Sequence, residues 1–181
     1  ENQRNFSKIA AKIRGTGIPA VAGIELTYQC NLACRHCYVP NPTENELLLS
    51  DYYQLINDLN DLGTFCLVFT GGEPVLRNDL LELIAHAEKI GQVCGLLSGS
   101  LRLGSENYLS AVLNSGLDHL MYLLQPDEEQ SWTVVQTIMP ADLSVTIHLT
   151  LDGGLAARAE AILERLHQAD VKCLSLSASD P

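Results

Sequence analysis

With 181 residues, 19.7 kDa, 46% hydrophobic and 18% charged residues and a mean hydropathy of +0.08, the chain can bury one core without disulfide help and is too apolar for a disordered segment. Its net charge of −11 and pI near 4.7 exclude a generic nucleic-acid binder, because a phosphate backbone demands a basic face. No membrane span is expected, since the best apolar run, residues 18–24, stops at Glu25, short of the roughly 18 residues a spanning helix needs.

The chain opens on a short amphipathic segment with Phe6, Ile9 and Ile13 on one face, read as a helical extension over residues 1–17 ahead of a core domain at 18–181. Four of the 11 basic residues (Arg4, Lys8, Lys12 and Arg14) lie there, which leaves the rest of the chain strongly acidic, a solvated surface on helix exteriors. These cations ahead of residues 18–24 imitate a signal peptide, but Pro19 and Gly23 interrupt the apolar part and it leads straight into a strand, so the expected location is the cytoplasm. Near-continuous apolar runs at 20–27, 65–70, 92–98, 119–124, 143–151 and 171–176 read as parallel strands covered by helices. Between them, Ser50 is expected to cap a helix with the stripe Leu55, Ile56, Leu59 and Leu62, ended by Gly63. Asn78 is expected to cap another with Leu80, Leu83, Ile84 and Ala87, ended by Gly91. Further helices are expected over about 105–115, 127–138 and 155–169. Six strands alternating with helices imply an α/β sheet with right-handed crossovers.

One connection, 28–50, is long in an otherwise tight chain, and such connections are usually functional. Of six cysteines, Cys66, Cys94 and Cys173 sit in apolar runs and read as small buried hydrophobes. Cys30, Cys34 and Cys37 crowd into eight residues of the long connection, unlike a disulfide framework, and point to metal or redox chemistry in a reducing compartment. Three thiolates spaced Cys-x3-Cys-x2-Cys suit an iron–sulfur cluster with one iron left open for a substrate or cofactor. On spacing alone two alternatives stay open: a structural zinc site with His36 or a remote residue as fourth ligand, and a thioredoxin-type redox pair of Cys34 and Cys37.

The segment Leu26-Thr-Tyr-Gln-Cys-Asn-Leu-Ala-Cys-Arg-His-Cys-Tyr38 after the first strand, followed after the second by Thr70-Gly-Gly-Glu-Pro74, resembles the radical S-adenosylmethionine (radical SAM) superfamily. Both motifs fall at C-terminal strand ends, where βα-barrel chemistry is placed. The stretch Phe69-Thr-Gly-Gly-Glu-Pro-Val-Leu-Arg-Asn-Asp-Leu80 is similar to the branch of haem-biosynthesis enzymes and peptide-modifying maturases. The resemblance implies a partial (βα)6 TIM-like barrel in which Cys30, Cys34 and Cys37 hold a [4Fe-4S] cluster and the methionyl group of SAM chelates the fourth iron. His36 and Tyr38 would lie beside adenine, and Gly71, Gly72 and Glu73 would receive the SAM amino group. Glycines let backbone approach a ligand, and a carboxylate pairs with an ammonium. Ser98 and Ser100 stand where relatives have a polar turn near the ribose and methionine.

Relatives commonly end the fourth strand in Ser-Leu-Asp-Gly, whereas here Leu123 takes the Ser place and Gln125 the Asp place, leaving a hydrogen-bonding group but no carboxylate. The expected function is reductive cleavage of SAM to a 5′-deoxyadenosyl radical that abstracts hydrogen from a small-molecule or peptide substrate, with an electron donor such as flavodoxin or ferredoxin. The alternative is a cluster- or zinc-binding module of the same fold without turnover. The cysteine-rich C-terminal extension of many maturases has no place after the sixth strand, and the chain starts at Glu1 rather than Met, so it reads as a trimmed or processed piece of something longer. Elsewhere His86, His119, His167 and Trp132 read as packing or surface residues, and His148 in the fifth strand as facing either side of it.

Overall fold

The computed structural model describes residues 17–32, 34, 37 and 46–178. Six strands, β1 (Val21–Thr27), β2 (Cys66–Gly71), β3 (Val93–Ser98), β4 (His119–Leu123), β5 (Ser144–Leu151) and β6 (Leu174–Ala178), form one sheet in sequential order, every neighbouring pair parallel. Parallel neighbours need a crossover, supplied by α1 (Leu49–Asp61), α2 (Leu80–Lys89), α3 (Glu106–Asn114), α4 (Glu129–Ile138) and the pair α5 (Gly153–Ala156) and α6 (Ala159–Gln168). β1 and β6 are the two edges, so the sheet is an open partial barrel, the α/β architecture expected. Residues 1–16 of the expected N-terminal extension lie outside the described residues. Among the described residues no helix is long and apolar enough to cross a membrane.

The strands are apolar on one face more than on both. Leu67 and Phe69, Cys94 and Leu96, Leu120 and Tyr122, and Ile147 and Leu149 are buried and belong to one continuous core. The alternate residues occupy the concave face in rows set by strand register: Val68, Gly95, His119 and Ser144; then Leu97, Met121 and Thr146; then Leu123, His148 and Ser175; then Thr150 and Ser177. This wall is apolar and small-chained on β2 and β3, and hydroxyl- and imidazole-bearing on β5 and β6. His148 lies on it, Nδ1 at 3.0 Å from Ser175 Oγ and Nε2 at 3.1 Å from Ser177 Oγ. His119 Nε2 sits 3.0 Å from Thr146 Oγ1.

Several expected boundaries move for local reasons. Ser50 is inside α1; Leu48 precedes the helix and donates its N–H to Asp51 Oδ2 at 3.1 Å. Asp79, not Asn78, stands at the N-terminal cap of α2, its carboxylate taken by Arg77. The helix expected over 155–169 is two, because Asp152 caps a first short one by accepting from Leu155 N–H at 2.8 Å. β6 begins later than expected, since Val171 N–H still closes α6 onto Leu166 O. Cys94 is buried and its thiol is pushed up to about 12 by that burial, which leaves it inert, but Cys66 is half-buried and Cys173 is exposed ahead of β6. Trp132 and His86 pack as expected, the indole N–H donating to Pro126 O and the imidazole meeting Asn57 Oδ1.

Candidate cofactor site

The loops at the C-terminal ends of β1 to β4 meet at the cysteine-bearing connection, and each contact can be traced to particular residues. Gly72 N–H donates to Thr27 O at 2.6 Å and Glu73 N–H to Gln29 O at 2.8 Å, so the turn after β2 lies flat against the backbone leading into Cys30. A Cβ on Gly71, which sits at φ +130°, would stand 2.4 Å from Thr27 O; one on Gly72 would stand 2.3 Å from Gln29 O. The close approach these glycines permit is to the backbone of Thr27 and Gln29, at the exit of β1 into the cysteine connection. Gly99, after β3, is held in the same way: a Cβ there would meet Leu32 Cδ1 at 2.8 Å and Leu123 O at 3.2 Å.

Glu73 is held by donors of the chain itself. Its carboxylate is wholly buried, Oε1 accepting from Val75 N–H (3.0 Å) and Ser98 Oγ (2.7 Å) and Oε2 from Gly99 N–H (3.0 Å). It ties the β2 turn to the β3 turn. Burial raises its pKa against three neutral donors that oppose the shift. Ser98 and Ser100 are likewise buried and partnered, Ser98 Oγ accepting from Ser100 N–H and Ser100 Oγ from Arg102 N–H. These hydroxyls brace the turn. Thr70, one residue before the glycines, was not singled out from the sequence; its hydroxyl is buried with no hydrogen-bond partner among the described residues.

Cys30 and Cys37 are exposed and Cys34 is half-buried. Burial first, and then the neighbouring Cys30 and Cys37 sulfurs, push the Cys34 thiol up, while Gln125 opposes them with its Nε2 at 3.9 Å from Cys34 Sγ. A thiol whose ionisation is discouraged by burial and by neighbouring sulfurs belongs to a donor set that a cationic centre would relieve. Among the described residues no three His, Cys, Asp or Glu side chains stand close enough to share one metal ion. A cubane cluster has no such requirement, because each thiolate meets a different iron. The donor chemistry and the orphaned Thr70 hydroxyl therefore fit a cluster and a bound polar cofactor. His36 and Tyr38 lie outside the described residues.

The model of the radical SAM superfamily matches residues 24–177, which covers both motifs, β2 to β5 and most of β1 and β6. The chain belongs to the radical SAM superfamily, whose members use a [4Fe-4S] cluster and SAM. It is similar to the PqqA peptide cyclase of Rhodopseudomonas palustris, 34% identical over 115 residues, 62% of this chain and 30% of that protein. Among solved structures it resembles SuiB of Streptococcus suis bound to the precursor peptide SuiA, with a TM-score of 0.77 and 16% identity over 98% of this chain and 44% of that one. The S-adenosylmethionine complex of SuiB superposes as well, also with a TM-score of 0.77 and at 15% identity. At these identities the structures establish the fold alone. The chain thus spans about a third of the curated relative and less than half of the solved ones.

Proposed function

We propose that these 181 residues form the cofactor-binding core of a radical SAM enzyme acting on a peptide. The carrying observation is the convergence of the β1 to β4 loops on one three-thiol connection. Cys30, Cys34 and Cys37 are assigned as the cluster ligands, and Gln125 as a hydrogen-bond donor to Cys34. Gly71, Gly72, Glu73, Ser98 and Ser100 act through the backbone shape they impose on the mouth, and Thr70 offers its open hydroxyl to the cofactor. His36 and Tyr38 keep the adenine-side role their motif positions imply. When bound, the cluster and SAM supply a one-electron reductive cleavage that yields a 5′-deoxyadenosyl radical. The chain's own task is to hold that chemistry at the barrel mouth and to present a substrate against the concave wall, with a small redox protein of the flavodoxin or ferredoxin type delivering the electron.

The peptide reading is supported by the 34% identity to a protein named as a peptide cyclase and by the fold shared with a protein solved on its precursor peptide. The hydroxyl- and imidazole-bearing side of the wall suits amide groups, which need both donors and acceptors. Anaerobic reconstitution with iron and sulfide is expected to give a cluster spectrum and, with dithionite, deoxyadenosine from SAM. Zinc bound without sulfide, or full activity in Cys34→Ala, would overturn the assignment. A module without turnover is favoured by one observation, the apolar Leu123 at the β4 end in line with His148; it predicts a loaded cluster and no deoxyadenosine.

A further inference from the structure

Arg77 follows the short 3-10 turn at Pro74–Leu76 and takes no part in the cofactor reading, yet its surroundings are the most elaborate of any cation in the described structure. Its side chain is only 10% exposed. Nε and Nη2 fork onto Asp79 at 2.8 and 2.6 Å, fixing the plane of the guanidinium. Nη1 then donates twice, to Leu26 O at 3.1 Å and to Glu46 Oε2 at 3.0 Å. The group lies 4.9 Å over the Tyr52 ring, whose hydroxyl donates to the same Leu26 O at 2.8 Å. Glu46 closes the circle, its Oε1 accepting from Thr27 Oγ1, which itself accepts from Gln29 N–H at 3.0 Å.

Leu26 and Thr27 are the last residues of β1, where the cysteine connection departs, and Glu46 lies just ahead of α1, where it returns. All three cysteines lie between Thr27 and Glu46. We propose that Arg77 and Glu46 form a clasp that joins the two ends of the cysteine connection and so sets the span within which the thiols must meet their cluster. This rests on the reading of Cys30, Cys34 and Cys37 as cluster ligands. Among the described residues the hydrogen bonds of Arg77 go to Asp79, Leu26 and Glu46, which makes it a positioning residue, not a ligand. The Arg77 end is sheltered while the Glu46 end is open to solvent, so the ion pair alone is partly screened and the bonds to Leu26 O and Thr27 share the hold. Outer partners that orient ligands usually change metal affinity by about 10- to 100-fold when removed.

The test compares the full chain, reconstituted anaerobically with iron and sulfide, with Glu46→Gln, Arg77→Lys and the double variant. Glu46→Gln removes the charged acceptor and leaves the Asp79 fork and the Tyr52 contact in place, so the fold survives; Arg77→Lys keeps the charge and loses the fork. Each single variant is expected to release its iron to a competing chelator about tenfold faster than the parent chain. The reduced cluster's electron-spin resonance should broaden, while the melting temperature of the iron-free Glu46→Gln chain stays near that of the parent. The double variant should release iron no faster than the worse single one, because both act through one contact. Chelator release at the parental rate in both single variants, or additive effects in the double, would overturn the clasp. If the parent chain itself takes up no cluster, it is the cofactor reading that fails.

Discussion

Replacing Gly72 by alanine adds a single methyl group, and the structure says where it must go. Gly72 has an ordinary φ, so no backbone strain arises; the cost is steric alone. The new Cβ would stand 2.3 Å from Gln29 O and 2.9 Å from both Gln29 C and Tyr28 O, all backbone atoms that no rotamer change can move. Relief means pushing the two backbones apart by roughly 1 Å, the gap to an ordinary van der Waals contact. That separation also stretches the 2.6 and 2.8 Å bonds from Gly72 and Glu73. Overpacking costs about 1–3 kcal/mol and each of the two weakened bonds about 0.5–1.5 kcal/mol, so a loss of about 2–6 kcal/mol is expected. For a chain of this size that is a melting-point drop of roughly 4–24 °C. Urea denaturation of the iron-free chain measures the first number, and iron and sulfide content after reconstitution shows the displaced Cys30 segment. Gly153→Ala is the control, because its Cβ would meet nothing within 4 Å. A Gly72→Ala chain as stable as the control and as readily loaded would refute the close-approach argument.

Other outcomes follow from the site's charges. Burial raises the Glu73 pKa above its ordinary 4.5, so the folded chain holds that proton more tightly than the unfolded one and stability falls as pH rises from about 4.5 through the folded value; Glu73→Gln should flatten this slope in urea titrations across pH. His119 and His148 are shifted the other way, below 6.5 by burial, so their contribution is present above pH 6.5 and is lost as pH falls through the depressed values. A paired His119→Gln, His148→Gln variant should lose less stability between pH 7 and 5 than the parent. Gln125→Leu removes an N–H from beside Cys34 Sγ and should move the cluster's midpoint potential to more negative values in a spectroscopic redox titration, with iron content unchanged. No shift would show that the amide does not reach the cluster ligand.

The six strands and their order were legible because each pairs a run of β-branched and leucine residues with a helix that needs a partner face. Local ends were less so. Nothing in the spacing of Ser50 distinguishes a cap from a second helical residue, and the split of the 155–169 helix depends on Asp152, which reads equally well as a strand-end residue. At the site, the motif spacing was legible and the intramolecular partners of its residues were not. A glycine pair announces close approach without saying to what, and here the answer is Thr27 and Gln29. A glutamate after two glycines announces an acceptor, and its donors turned out to be Val75, Ser98 and Gly99. Arg77 and Glu46 carried no local signal, since their meeting spans 31 residues; the only hint was a charged Arg-x-Asp placed between two apolar segments.

The bracing of the mouth has a thermodynamic consequence. Because the β2 turn is bonded to the β1 exit on one side and to the β3 turn on the other, the three loops cannot be ordered separately. A ligand that settles against any one of them meets a surface already fixed by the other two, so the entropy of ordering is borne once, in folding, and not again at each encounter. Cluster uptake and cofactor binding should then be coupled only through what the two groups share directly, since neither has to order the loops on behalf of the other.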